Sequence, residues 1–274
     1  MRVLICDSPE QASDRVAERI LAALDDKPDL VLGLATGSTP LRVYERLVRA
    51  HRDGVDLSRV RTFNLDEYLG LTADHPQSYR HFMRRHLFDH VNVPDENIHF
   101  PPTEGSDLSA RCAAFEQRIR DCGGIDIQLL GIGRNGHIGF NEPTSSLASR
   151  TRIKTLTDKT LEDNARFYGP GETQPEVAVT MGIATILDAR AILLQAFGAA
   201  KADAIHAAIE GPISSFWPAS ALQYHPATTF LVDRESAARL TMRDYYRRVQ
   251  RAEADSAERG LSWDPVQRED RPLA

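Results

Sequence analysis

Cysteine is scarce in this chain. Cys6, Cys112 and Cys122 are the only three among 274 residues, an odd number without a C-x-x-C pair. Neither a disulfide framework nor a zinc site follows from them, and they read as reduced thiols with packing roles. Long apolar runs are missing too: no stretch approaches the roughly 20 residues needed to span a bilayer. Met1-Arg2 leads directly into a short strand-like run, with no secretory apolar region before it. These absences predict a soluble cytoplasmic protein. Nor is there a basic excess. The 33 Lys and Arg residues stand against 39 Asp and Glu, a formal net charge of -6. That speaks against a general nucleic-acid binder, whose surface is normally basic. An anionic ligand would need a locally positive site on an acidic whole.

Two phosphate signatures are also absent. The P-loop spacing with its lysine does not occur. The dinucleotide fingerprint does not follow the first strand. Gly131 and Gly133 begin such a spacing later, but His137 sits one past its third slot and no helical pattern follows.

What is present is ordinary globular material, 42% hydrophobic and 26% charged, and long enough to bury a substantial core. Short apolar runs at Val3–Cys6, Leu30–Ala35, Val60–Leu65, Ile125–Leu130, Val177–Thr180, Ala191–Phe197 and Thr228–Val232 read as strands. Helical patterns separate them, such as Val16, Ile20, Leu21 and Leu24 after an N-cap at Ser8. Strands alternating with helices predict an α/β fold, Rossmann-like, with a mainly parallel sheet covered on both faces. Arg150 to Pro175 has weak apolar periodicity and many Thr, Lys, Arg and Asp, which suits a mobile flap. No repeat or linker divides the chain, so one domain over 1–252 is expected. The polar residues 253–274 are expected to be a poorly ordered tail.

Three constellations could carry chemistry. The first is the loop from Gly131 to Pro143, where Asn135, His137 and Glu142 arrive within one glycine-rich stretch after a buried strand. A neutral imidazole takes up a proton near pH 7, and a neighbouring carboxylate fixes its tautomer. The plainer alternative is a tight turn with a surface histidine. The second is Phe63-Asn64-Leu65-Asp66-Glu67-Tyr68, which puts two adjacent acids at a strand exit. Either one is a general base with a pKa raised by burial, or Asp66 caps a helix and Glu67 is solvated.

The third constellation binds anions. In Gly33-Leu34-Ala35-Thr36-Gly37-Ser38-Thr39-Pro40 a strand enters a small-residue turn, whose backbone N–H groups, hydroxyls and following helix suit a phosphate. An ordinary capped helix start has the same pattern. Arg150, Arg152, Lys154, Arg166 and Lys201 are candidate cations, since a phosphate dianion favours arginine and lysine together. Each taken singly also fits a solvated surface.

In this order, Thr36 to Pro40, Phe63 to Tyr68, Gly136-His137-Ile138-Gly139-Phe140-Asn141-Glu142-Pro143 and Ser149-Arg150-Thr151-Arg152 resemble the glucosamine-6-phosphate deaminase family, from the first strand to about Asp233. The resemblance implies conversion of glucosamine 6-phosphate to fructose 6-phosphate and ammonia, with no metal or organic cofactor. It implies that Asp66 is the base moving a proton from C2 toward C1. His137 would open the pyranose ring, assisted by Glu142. Asn135 stands where family members carry Asp or Asn; here it is uncharged, leaving Glu142 as the acidic partner of His137. Phosphate contacts would come from Gly37, Ser38, Thr39, Arg166 and Lys201. Ser145, Arg152, Lys154 and Thr155 match an effector site for N-acetylglucosamine 6-phosphate found between subunits in regulated members. A homo-oligomer, up to a hexamer, is likewise implied by the family.

Two rival readings stand beside this one. 6-Phosphogluconolactonase shares the fold and a Gly-His loop but not the Phe140-Asn141-Glu142-Pro143 continuation. A non-catalytic sugar-phosphate sensor would need the phosphate turn but not Asp66, His137 and Glu142 together. No helix-turn-helix pattern precedes the domain to make it a regulator.

Overall fold

The structure, a computed structural model, describes residues 1–165, 168–169 and 172–258. Seven short strands form one parallel sheet, six of them among the apolar runs read from the sequence and one, β5, too short to show there. They are β1 (Arg2–Ile5), β2 (Val31–Leu34), β3 (Arg61–Asn64), β5 (Ile98–His99), β6 (Ile127–Leu130), β9 (Ala191–Ala196) and β10 (Thr228–Val232), in the order β1-β10-β9-β6-β2-β3-β5. Their side chains alternate between two apolar cores, as the two-residue period of a strand requires. Val31, Phe63, Leu130, Ile192 and Phe230 pack on one face with Phe115 and Ile119 of helix α4 (Leu108–Asp121). Leu32, Leu34, Leu129, Leu193 and Leu231 pack on the other with α1 (Pro9–Asp26) and α2 (Leu41–Arg52), through Val16, Ile20, Val43 and Leu47. Both faces are therefore dry, and the strands read as continuous apolar runs for that reason. Ser8 caps α1 as its position suggests, accepting the Gln11 N–H.

The order of strands creates a crevice. Neighbours β2 and β6 send their chains in opposite directions, β2 toward β3 and β6 toward β9. Such a reversal opens a cleft beyond the strands' C-terminal ends, where α/β proteins bind ligands.

One strand belongs elsewhere. Val177–Thr180 (β8) does not join the parallel sheet but lies in a separate antiparallel sheet, ordered β4-β8-β7, with β4 (Asp66–Tyr68) and β7 (Arg152–Thr155). The chain leaves β3 at Asn64, turns through Leu65 and pairs again two residues later. The segment expected to be a flap contains β7 and the helix α5 (Asp158–Ala165). At the other end, the helix Arg243–Glu258 runs through the point where a tail was expected, and Glu253 accepts two hydrogen bonds from Arg2, at 3.0 and 2.6 Å. The rest of that expected tail, 259–274, lies outside the described residues.

Candidate active site

Residues following four parallel strands bound one cavity of about 1060 Å³: Thr36 to Thr39 after β2, Leu65 and Asp66 after β3, Gly131 to Gly133 after β6, and Phe197 with Lys201 after β9. His137 and Gly139 complete the wall on the β6 side. Asp66 and His137 thus share a single space.

Asp66 opens β4, with its backbone opposite Thr180 of β8. Its residue is only 6% exposed. Burial, reinforced by the Glu67 charge, pushes its carboxyl up to about 8. Glu67 does something different. Its carboxylate accepts the N–H groups of Tyr68, Tyr79 and Arg80 at 2.8, 2.9 and 2.8 Å, and so serves the first turn of α3 (Tyr79–His86). Of the roles that spacing offered, the helix-end one falls to Glu67, which is buried and not solvated, while Asp66 faces the cavity.

The Gly131–Pro143 loop holds His137 and Glu142 together. No helix follows β6; instead the loop folds on itself, Gly133 N–H to His137 O and Gly136 N–H to Gly133 O at 2.9 and 3.0 Å. His137 Nδ1 lies 3.4 Å from Glu142 Oε2, and the Glu142 side chain is 1% exposed. Burial alone would raise the Glu142 pKa, but the imidazole's hydrogen bond and charge, with Thr160 and Asn135, outweigh it and hold the carboxyl at about 2. Asn135 Nδ2 donates to Glu142 Oε2 at 2.8 Å, and its Oδ1 accepts the His137 N–H at 3.3 Å. A carboxylate on Nδ1 keeps the proton there and leaves Nε2 with its lone pair.

At the phosphate turn, Gly37 has a φ of 91° that favours glycine. Helix α2 starts at Leu41, after Pro40, with no side chain capping its first turn. Its N-terminal N–H groups therefore stay available to an anion at the cavity wall. Lys201 lines the same cavity and donates from Nζ to Ile132 O at 2.7 Å. The other candidate cations separate. Arg150 pairs with Asp188, and Arg152 donates to Asn141 Oδ1 at 2.9 Å. Lys154 lies on β7, and Arg166 lies outside the described residues.

Several site residues have no role in the sequence reading. Tyr68, Tyr79 and Phe140 form an aromatic wall, with Tyr79 and Phe140 stacked at 5.8 Å and Tyr68 and Tyr79 at 5.0 Å between ring centroids. Asn164 of α5 donates to the Tyr68 hydroxyl at 3.0 Å. Thr157 and Thr160 reach Glu142 and His137. Tyr68 sits within a motif already singled out, but nothing in the weakly periodic 150–175 stretch distinguishes its threonines. Among the described residues no group of three or more His, Cys, Asp or Glu side chains is placed to hold a metal.

Residues 7–231 match the family model described as glucosamine-6-phosphate isomerases/6-phosphogluconolactonase. The chain belongs to this family. It is 57% identical over 251 residues to the glucosamine-6-phosphate deaminase of Hahella chejuensis (strain KCTC 2396), covering 91% of this chain and 96% of that protein. Among solved structures it is similar to a monomeric glucosamine-6-phosphate deaminase, with a TM-score of 0.84 and 44% identity over 87% of this chain and 99% of the other. The 6-phosphogluconolactonase of Trypanosoma brucei also superposes, with a TM-score of 0.70 over 88% of this chain and 98% of that one. At 21% identity that likeness shows the fold alone.

Proposed function

We propose that this family member converts glucosamine 6-phosphate and water to fructose 6-phosphate and ammonia. The observation that carries the reading is a buried acid and a carboxylate-paired imidazole on the walls of one cavity that also holds a phosphate turn. The sugar's phosphate is held by Gly37, Ser38, Thr39 and Lys201, with Arg166 as the resemblance implies. That places the reacting end of the hexose between Asp66 and His137.

Two proton-handling groups match two steps. A proton on C2 is acidic only beside the C1 carbonyl, so the ring must open first. His137 moves the proton between the C1 hydroxyl and the ring oxygen, and Glu142 stabilises the imidazolium formed in passing. Asp66 then takes the C2 proton and returns it to C1, while the C1 carbonyl oxygen gains one proton to become a hydroxyl and the ammonium nitrogen gives one up. The bond between C2 and nitrogen becomes an imine, which water hydrolyses to a ketone and ammonia. Asp66 must be ionised to act as base. The substrate's amino group, entering as an ammonium, favours that ionisation against burial and Glu67.

The lactonase reading lacks the Phe140 to Pro143 continuation as support, and the relative at 57% identity bears the deaminase name. Ammonia release from glucosamine 6-phosphate, measured beside hydrolysis of 6-phosphogluconolactone, tests the choice. Lactone hydrolysis without ammonia would reverse it.

The effector reading is supported by Ser145, whose buried hydroxyl finds no partner, and by Arg152 and Lys154, which alternate with exposed positions along β7. Arg152 contacts Asn141 inside the catalytic loop, a route by which N-acetylglucosamine 6-phosphate would reach His137. Thr155 is exposed on the same strand. We place this site in a homo-oligomer, up to a hexamer, although the structural relative at 44% identity is monomeric. Sedimentation with and without the effector tests both; a monomer whose sugar affinity ignores the effector would overturn them. A cytoplasmic location is supported by three unpaired thiols, and no helix among the described residues is long and apolar enough to cross a membrane.

A further inference from the structure

No proton transfer in the reaction as written uses a residue from the 150–175 segment, yet that segment touches both members of the ring-opening pair. Thr157 ends the turn after β7, and its hydroxyl donates to Glu142 Oε2 at 3.2 Å, while its backbone N–H points at Oε1 at 3.4 Å. Thr160, one helical turn on, is 3% exposed. Its hydroxyl lies 3.4 Å from His137 Nδ1 and 3.2 Å from Thr157 Oγ1. Burying a hydroxyl without partners is costly, and here each threonine hydroxyl is spent on the pair or on the other threonine.

We propose that Thr160 is a positioning residue for ring opening, holding the His137 imidazole so that its bare nitrogen faces the sugar. The inference rests on the functional reading above and deepens it. The hydrogen bonds account for themselves. Glu142 is a carboxylate and only accepts, so the proton between it and His137 sits on Nδ1. That N–H has two acceptors at equal distance, Glu142 Oε2 and Thr160 Oγ1. An imidazole bonded to a carboxylate alone still rotates about its approach direction; a second acceptor from a different segment removes that freedom. Thr157 fixes the carboxylate in turn, and Asn135 Nδ2 reaches both Glu142 and Thr157. The pair is therefore assembled by two segments, the loop after β6 and the start of α5. When Nε2 accepts a proton the Nδ1–H becomes more acidic, and both acceptors bind it more strongly.

Thr160→Val replaces the hydroxyl with a methyl group of nearly the same volume and tests this in the full-length protein. Ammonia release should fall about tenfold or more in kcat, the usual consequence of losing one hydrogen bond to a charged group, with KM changed little. Thr160→Ser should restore most of the rate. Lys159→Ala, exposed on the same helix, should match the wild type. Nitrogen-15 shifts of the His137 ring supply a readout independent of turnover: the wild type should show protonated Nδ1, and Thr160→Val the same tautomer, kept by Glu142, with its Nδ1 signal displaced by the loss of one acceptor. Equal impairment of the Val and Ser variants would make Thr160 a packing residue and overturn the proposal. Unchanged ring shifts in Thr160→Val would overturn it as well. A wild type that releases no ammonia sinks the functional reading instead, and the ring shifts still decide the Thr160 contact.

Discussion

The backbone of Gly133 lies against the imidazole of His137. A Cβ built there would sit 2.4 Å from Cε1 and 2.5 Å from both ring nitrogens, closer than any side chain tolerates. The glycine's missing side chain is the space the ring occupies. Gly133→Ala should therefore drive the imidazole off Glu142 and lower kcat about 10²-fold, the cost of misplacing a reacting group by an ångström. Thermal unfolding should show a loss of no more than about 1–3 kcal/mol, typical of overpacking. An alanine variant of full activity would show that the ring does not work from this position.

Asp66→Asn keeps the shape of the side chain and removes the base. Activity should drop by about 10²–10⁴, while binding of the substrate's phosphorylated sugar alcohol, measured by calorimetry, persists. Loss of that binding together with activity would give Asp66 a structural role instead.

The same substitution changes how stability depends on pH. Burial raises the Asp66 carboxyl from 3.8 to about 8, so the native state holds a proton that the unfolded chain releases. Its contribution is present in full below the unfolded value and is lost as pH rises through the folded one. Urea unfolding of the wild type should weaken by a few kcal/mol between about pH 4 and 8 relative to Asp66→Asn. Parallel profiles for the two proteins would mean that Asp66 ionises freely in the native state.

Glu67 supplies a neighbouring charge and three hydrogen-bond acceptances at once. Removing the charge with Glu67→Gln should ease ionisation of Asp66, so the rising acid limb of kcat/KM moves to lower pH. The amide keeps one oxygen where the carboxylate had two, so the N-terminus of α3 should lose about 1–3 kcal/mol. An unmoved limb with the stability loss intact would confine Glu67 to the helix end.

The neighbouring acids show where sequence reading stops. Two carboxyls at a strand exit are visible as an anomaly, because charge there needs a partner or a purpose. Consecutive strand residues point to opposite faces, so one acid alone can enter the cavity, and which one depends on how β4 meets β8. That pairing is non-local, joining residue 66 to residue 180. β4 is also three residues long and carries two acids, too short and too polar for any period to show. Val177–Thr180 is a strand, as its apolar run suggests, but for the same reason a short apolar run does not state which sheet it joins.

By itself the sequence determined the alternation of buried strands and helices, and hence a parallel sheet, because apolar period and turn chemistry are local properties of the chain. It also marked the Gly131 to Pro143 loop and the turn at Gly37, since glycine, histidine and acid at strand exits are rare without a use. Tertiary structure decided what those residues face. The opposite exits of β2 and β6 opened the crevice, and the small antiparallel sheet carried Asp66 across it toward His137. The start of α5, about 20 residues beyond the histidine, brought Thr157 and Thr160 onto the pair. Such contacts join residues whose separation along the chain leaves no periodic trace, so only folding brings them together.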